Sequence, residues 1–151
     1  MNDAEADRAV RIAIARSIQT RGKIPTIAAV AEDMGLGVAS VDASFARMIE
    51  GRVFIPRRDS HEIYAYDPFC VGPTDFFVTT ANRVWFGICA WDALGIPAAL
   101  GETGVLETHC ADCGEELVVE VDADGGTDLQ TWTVMQVGVR PRDFWRDIHF
   151  T

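Results

Sequence analysis

The sequence predicts an α+β fold, and three observations carry that prediction. Apolar residues recur at helical spacing through roughly the first fifty positions. From residue 53 onward they gather in short runs separated by turn residues. Between those runs, RVWFGICAWDALGIPAALG (residues 83–101) passes from a buried-strand pattern into an Ala- and Leu-rich helix.

Residues 4–20 form the first predicted helix, with Val10, Ile14 and Ile18 one turn apart and Ala13 beside them; Gly22 ends it. After Pro25, Thr26 is the expected N-cap of a second helix that turns Ile27, Val30, Ala31 and Met34 inward. Gly35 and Gly37 interrupt the pattern. A third helix then places Val41, Phe45, Met48 and Ile49 in the core. Residues 53–56 and 62–66 flank the polar RRDSH and read as a hairpin. Three helices followed by a hairpin make residues 1–69 a winged-helix-like unit. Its third helix shows Asp42, Arg47 and Glu50 outward, and Asp59 and Glu62 offset Arg52, Arg57 and Arg58 at the wing. That balance does not suit a phosphate backbone, so no nucleic-acid partner is expected.

The stretch YDPFCVGP (66–73) reads as a linker, with Cys70 a packed thiol, and residues 70–151 form a second unit. Residues 76–80 and 83–88 are adjacent strands that lead into the helix after Cys89. Pro97 is expected to kink or end that helix. At its N-terminus Cys89 would meet unpaired N–H groups that favour a thiolate of lowered pKa, and Asp92 would lie one turn along on the same face. Residues 105–110 and 116–122 alternate as two strands joined through CADCG. This C-x-x-C-G turn can bring Cys110 and Cys113 onto one soft metal, although a structural zinc needs four ligands. The alternative is a pair of semi-buried hairpin thiols. Residues 122–128 lack the full calcium-loop pattern and read as a solvated turn. Residues 131–139 are a last predicted strand before the terminal segment 143–150. His149, amid apolar residues, reads as structural, and Trp85, Trp91, Trp132 and Trp145 as walls of the core or of a pocket.

Composition bounds the function classes. Of the 151 residues 48% are hydrophobic and 24% charged, enough for a globular core. No run reaches the roughly eighteen apolar residues of a membrane span, and the acidic N-terminus is unlike a signal peptide, so a cytoplasmic location is expected. The net charge of −10 is uneven: residues 1–69 hold nine basic against ten acidic groups, residues 70–151 four against thirteen. Such a surface repels nucleic acid and anionic membranes. Four unevenly spaced cysteines suit metal or thiol chemistry better than disulfides in that compartment.

ICAWDALGIPAALG, VLETHCADCGEELVVEVD and the closing FWRDIHF together resemble the organomercurial (alkylmercury) lyase family. The likeness covers most of residues 71–150 and is most specific at Cys89, Asp92, Pro97, Cys110 and the closing IHF. It implies a small mixed-sheet core in which two cysteines and an aspartate break a carbon–mercury bond. Thiolates take the metal, and the carboxyl group relays a proton to the departing carbon. Cys89 matches the first cysteine and Asp92 the aspartate. Trp145 stands where the second cysteine is expected, and with Trp91 it is a candidate pocket wall. The family usually continues beyond this point, so part of the wall is expected to be missing or to come from another subunit of a homo-oligomer.

Three functions follow as expectations. The first is a lyase-type enzyme with Cys89 as nucleophile and Asp92 as proton donor. It would be poor at carbon–mercury protonolysis unless Cys110 or Cys113 replaces the lost thiol. The second is a diverged enzyme acting on another small electrophile, with Trp145 shaping the pocket. The third is a non-catalytic metal- or thiol-binding module built on the CADCG turn. A small-molecule substrate is expected in the first two. No organic cofactor is implied, only a soft metal such as mercury or zinc.

Overall fold

The computed structural model describes residues 2–130 and 133–149. Helix α1 (Asp3–Arg21) opens on a reciprocal cap: Asn2 Oδ1 accepts the Glu5 N–H at 2.9 Å, and Glu5 accepts the Asn2 N–H at 3.0 Å. Thr26 caps α2 (Ile27–Met34), accepting the Ala29 N–H at 3.2 Å. Helix α3 (Val38–Glu50) lies across both. The predicted inward positions Val10, Ile14, Ile18, Val30, Val41, Phe45 and Met48 are all buried. Each such side chain contributes about 1.5–3 kcal/mol of burial free energy.

Arg47 departs from its expected outward place. It forks onto Asp7 of α1, with Nη2–Oδ1 at 2.6 Å and Nε–Oδ2 at 3.0 Å, and so ties α3 to α1. The hydrogen bond from Arg47 holds the Asp7 carboxyl below its ordinary pKa. A lowered carboxylate pKa stabilises the fold at neutral pH, and that contribution fades as acid protonates the group. Asp7→Asn is therefore expected to lower the urea midpoint at pH 7. The gap from wild type should shrink as pH falls below the carboxylate range. A gap independent of pH would show that packing, not the ion pair, is what Asp7 supplies.

Seven strands follow: β1 (Ile55–Pro56), β2 (Ile63–Tyr66), β3 (Phe69–Cys70), β4 (Phe77–Thr80), β5 (Val84–Phe86), β6 (Gly104–His109) and β7 (Glu116–Val121). They form one antiparallel sheet in the order β1-β2-β3-β5-β4-β6-β7. Strands β5 and β6 both run against β4, hence parallel to each other, and such a pair needs a crossover. Helix α4 (Ala90–Leu100) is that crossover and packs on β3 to β6 through Ala93 and Ile96. The buried face of the sheet, with Ile63, Val78, Trp85, Leu106 and Val121, is continuous with the helical core. A smaller cluster unites Ile55, Ala65 and Cys70 with Phe86, Ile88 and Ile148, so Cys70 is a packed thiol as expected.

Three expectations need correction. The 66–73 linker contains β3, which pairs with β2 and β5 and seats Phe69 against Trp85 at 5.1 Å between centroids. The β1–β2 hairpin is therefore the edge of the large sheet. Of the two outcomes expected at Pro97, a kink or an end, the end does not occur: α4 continues to Leu100 and stops at Gly101 in the left-handed conformation. Residues 133–139 are not a strand: Val134 and Val137 are exposed, and alternation without a surface to cover forms no ladder. Thr131, Trp132 and Phe150 lie outside the described residues.

Candidate active site

The strand-to-helix junction is built by backbone geometry. Strand β5 ends at Phe86. The Gly87 N–H then donates to Phe76 O at 2.9 Å, while Thr74 Oγ1 donates to Gly87 O at 2.6 Å. Two residues later Cys89 takes the N-cap position of α4, and its carbonyl accepts the Ala93 N–H at 3.1 Å. Cys-Ala-Trp-Asp acts here as a thiol version of the reciprocal cap. The Asp92 N–H points at the Cys89 sulfur, and Asp92 Oδ2 accepts the Cys89 N–H at 3.3 Å. Asp92 Oδ2 also lies 3.4 Å from Cys89 Sγ. Thiol and carboxyl group are thus in direct contact, fixed by the first turn of a helix.

The electrostatics overturn the expected low thiol pKa. Burial pushes the Cys89 thiol up, and the nearby Asp92 carboxylate adds to it. The N–H groups of Asp92 and Trp91 pull the other way and do not prevail. Asp92 is raised as well, first by burial and then by repulsion from Asp67 in the β2–β3 turn. The pair is therefore suited to holding a proton between sulfur and carboxylate rather than to a standing thiolate. Asp67 was missed in the sequence because it lay in an apparent linker. The C-x-x-D spacing of the cap was visible.

Trp91, on the first turn of α4, is 73% exposed. Trp145 belongs to a 3-10 turn (Pro141–Arg146), is 38% exposed, and lies under the Arg52 guanidinium at 5.4 Å. Ile148, three residues later, joins Ile88 in the smaller core cluster, so the C-terminal segment does approach the junction. The His149 ring lies tilted at 5.4 Å from that of Tyr64 and borders a hollow of about 710 Å³ with Asp42, Arg57 and His61. The acidic loop after β7 is a hydrogen-bonded turn in which Asp128 accepts the Glu120 N–H at 3.0 Å.

Cys110 and Cys113 occupy the turn between β6 and β7, where Cys110 N donates to Glu115 O at 2.8 Å and Gly114 N to Cys110 O at 2.9 Å. The N–H groups of Cys113 and Asp112, and the Cys113 thiol, lower the Cys110 pKa. Among the described residues no three His, Cys, Asp or Glu side chains converge as a metal cage. The four-ligand zinc arrangement is therefore not assembled there.

The alkylmercury lyase family model matches residues 69–151, more than half of the chain. The chain belongs to the alkylmercury lyase family. A solved structure, the mercury-bound form of MerB2, shares its fold at a TM-score of 0.58 and 18% identity. The match covers 80% of this chain and 64% of that one, so this family member spans under two thirds of its structural relative. No curated protein matches the sequence. No helix among the described residues is long and apolar enough to cross a membrane.

The two thiol environments predict an order of reactivity opposite to the one helix position alone suggests. At neutral pH, iodoacetamide should label Cys110 faster than Cys89, and Cys89 labelling should rise only as the medium becomes alkaline. Peptide mass spectrometry across a pH series reads this directly. If Cys89 is modified first at pH 7, burial does not govern its titration.

Proposed function

We propose that this family member is a diverged lyase-type enzyme that captures organomercurials at Cys89, uses Asp92 as the proton carrier, and releases the hydrocarbon slowly. One observation supports the reading above all others: Sγ and Oδ2 stand 3.4 Å apart at the head of α4. For a substrate R–Hg–X, the Cys89 sulfur bonds to mercury, X leaves as an anion, and the thiol proton passes to the Asp92 carboxylate. The protonated Asp92 then delivers that proton to carbon as the C–Hg bond breaks. R–H departs, Asp92 is a carboxylate again, and mercury remains on the Cys89 sulfur. A raised carboxyl pKa suits both halves of this cycle, since the group must accept the proton and then give it up.

What slows the cycle is the second sulfur. Two soft ligands stabilise the departing metal better than one. Trp145, aligned with the second family cysteine, offers none, so a small thiol from solution must serve. In this reading residues 1–69 are a winged-helix-like buttress and residues 70–151 carry the chemistry. The buttress does not engage DNA: Arg47 is tied to Asp7 and Asp42 faces His61 at 2.9 Å. The protein works on a small molecule in the cytoplasm.

The test is incubation with an aryl-mercury compound and excess small thiol, following hydrocarbon release and bound metal. Wild type should bind the compound and release hydrocarbon slowly, and both should be lost from this site in Cys89→Ser. Brisk turnover that survives Cys110→Ser and Cys113→Ser would contradict the need for a second protein thiolate. Metal uptake indifferent to Cys89→Ser, with no hydrocarbon formed, would leave the CADCG binding module as the function.

A further inference from the structure

The register of the sheet brings two sets of thiols to one end of it. Phe77 of β4 pairs with Phe86 of β5 on one side and with Glu107 of β6 on the other, so these three residues form a row. From that row β5 and β6 run in the same direction. Cys89 lies three residues beyond Phe86, and Cys110 three residues beyond Glu107. Strands β5 and β6 flank β4 and so are two strand spacings apart, roughly 10 Å. The β6–β7 turn therefore leaves the sheet at the end where α4 begins.

At that turn Cys113 is exposed, and the Gly114 N–H donates to Cys110 O at 2.9 Å, closing the turn that carries both sulfurs. Neither cysteine is in a disulfide. Two adjacent sulfurs are too few for zinc, which takes four ligands, and no third Cys, His, Asp or Glu among the described residues completes a cage. They are the full requirement of a soft ion that binds two thiolates in line.

We propose that Cys110 and Cys113 form a two-thiolate acceptor for mercuric ion, positioned to take the inorganic product from Cys89. This rests on the lyase reading for the origin of the ion but not for the existence of the site. After protonolysis a small thiol RSH completes the product as Cys89–S–Hg–S–R, its proton passing to solvent. The Cys110 thiolate attacks mercury and Cys113 follows. Two Hg–S bonds form as two break, the Cys113 proton ends on Cys89, and RS⁻ leaves. No electron is transferred. The exchange returns Cys89 to its protonated resting state and places the metal at an exposed turn, open to the next thiol acceptor. A two-residue spacer makes the second sulfur intramolecular, which is why the turn can outcompete a monothiol.

The experiment uses the full-length protein and Hg²⁺ itself, so it does not depend on carbon–mercury cleavage. In the Cys89→Ser background, Hg²⁺ titrated against a competing monothiol should bind one ion per chain. Adding Cys113→Ser, an exposed substitution, should weaken this by about a hundredfold or more. Equal affinity with and without Cys113 would overturn the acceptor site. For the transfer, wild-type protein given one equivalent of Hg²⁺ in the presence of monothiol is footprinted with iodoacetamide at an alkaline pH at which metal-free Cys89 is labelled. Cys110 and Cys113 should be protected and Cys89 free, whereas Cys113→Ser should leave the metal on Cys89. Protection of Cys89 alone in wild type would refute the hand-off. Absence of hydrocarbon release from an aryl-mercury compound, with this footprint intact, would refute the lyase reading and leave the acceptor standing.

Discussion

Asp92→Asn is expected to lower the residual hydrocarbon release by about a hundredfold or more, the scale on which a positioned general acid contributes. Aryl-mercury capture at Cys89 should persist. The amide oxygen of Asn can still accept the Cys89 N–H, so the first turn of α4 keeps its cap. What disappears is the acceptor and donor of the thiol proton. The same change removes the negative charge that helps to raise the Cys89 thiol, so its alkylation at neutral pH should become faster. Slower release with faster alkylation is a combination that simple damage to the fold does not produce. Unchanged release would take Asp92 out of the reaction.

Gly87→Ala should destabilise the protein by about 1–3 kcal/mol, the usual cost of forcing a group into filled space. A Cβ at Gly87 would stand 2.7 Å from Ala93 N, 3.0 Å from Asp92 Cβ and 3.1 Å from Cys89 O. All three atoms belong to the start of α4, so the helix must shift to admit the methyl group. The Cys89–Asp92 contact would open with it. Urea denaturation measures the first effect, and hydrocarbon release the second. Gly138→Ala is the matched control, because nothing lies within 4 Å of a Cβ there. A Gly87→Ala protein as stable and as active as that control would show that the junction is looser than its contacts imply.

The helices and the Cys89–Asp92 contact were legible because their signals are local. Val10, Ile14 and Ile18 announce a buried stripe wherever the helix ends up, and C-x-x-D at a strand-to-helix change announces a cap. The features that escaped depend on residues distant in sequence. Asp67-Pro68-Phe69 looks like a linker until Phe69 is seen to fill space beside Trp85. Arg47 looks solvent-facing until Asp7, forty residues earlier, is placed across from it. The Cys89 pKa illustrates the limit most clearly. Helix position argues for a low value and is visible in the sequence. Burial, which is tertiary, and the Asp92 charge, one turn along the helix, argue for a high one and together prevail. The alternation in residues 131–139 was real as a pattern, but over residues 133–139 it lacks the partner surface that turns a pattern into a strand.

The most direct measurement loads Cys110→Ser/Cys113→Ser protein with one equivalent of phenylmercury and follows benzene after a small thiol is added. Cys89 and its partner Asp92 then face the substrate without the hairpin thiols. The account predicts a phenylmercury adduct on Cys89 that persists without added thiol. It predicts slow benzene release once the second sulfur arrives, and almost none when Asp92→Asn is also present. Benzene released at the same rate from the Cys89→Ser or Asp92→Asn protein would contradict the assignment of this pair as the reacting groups.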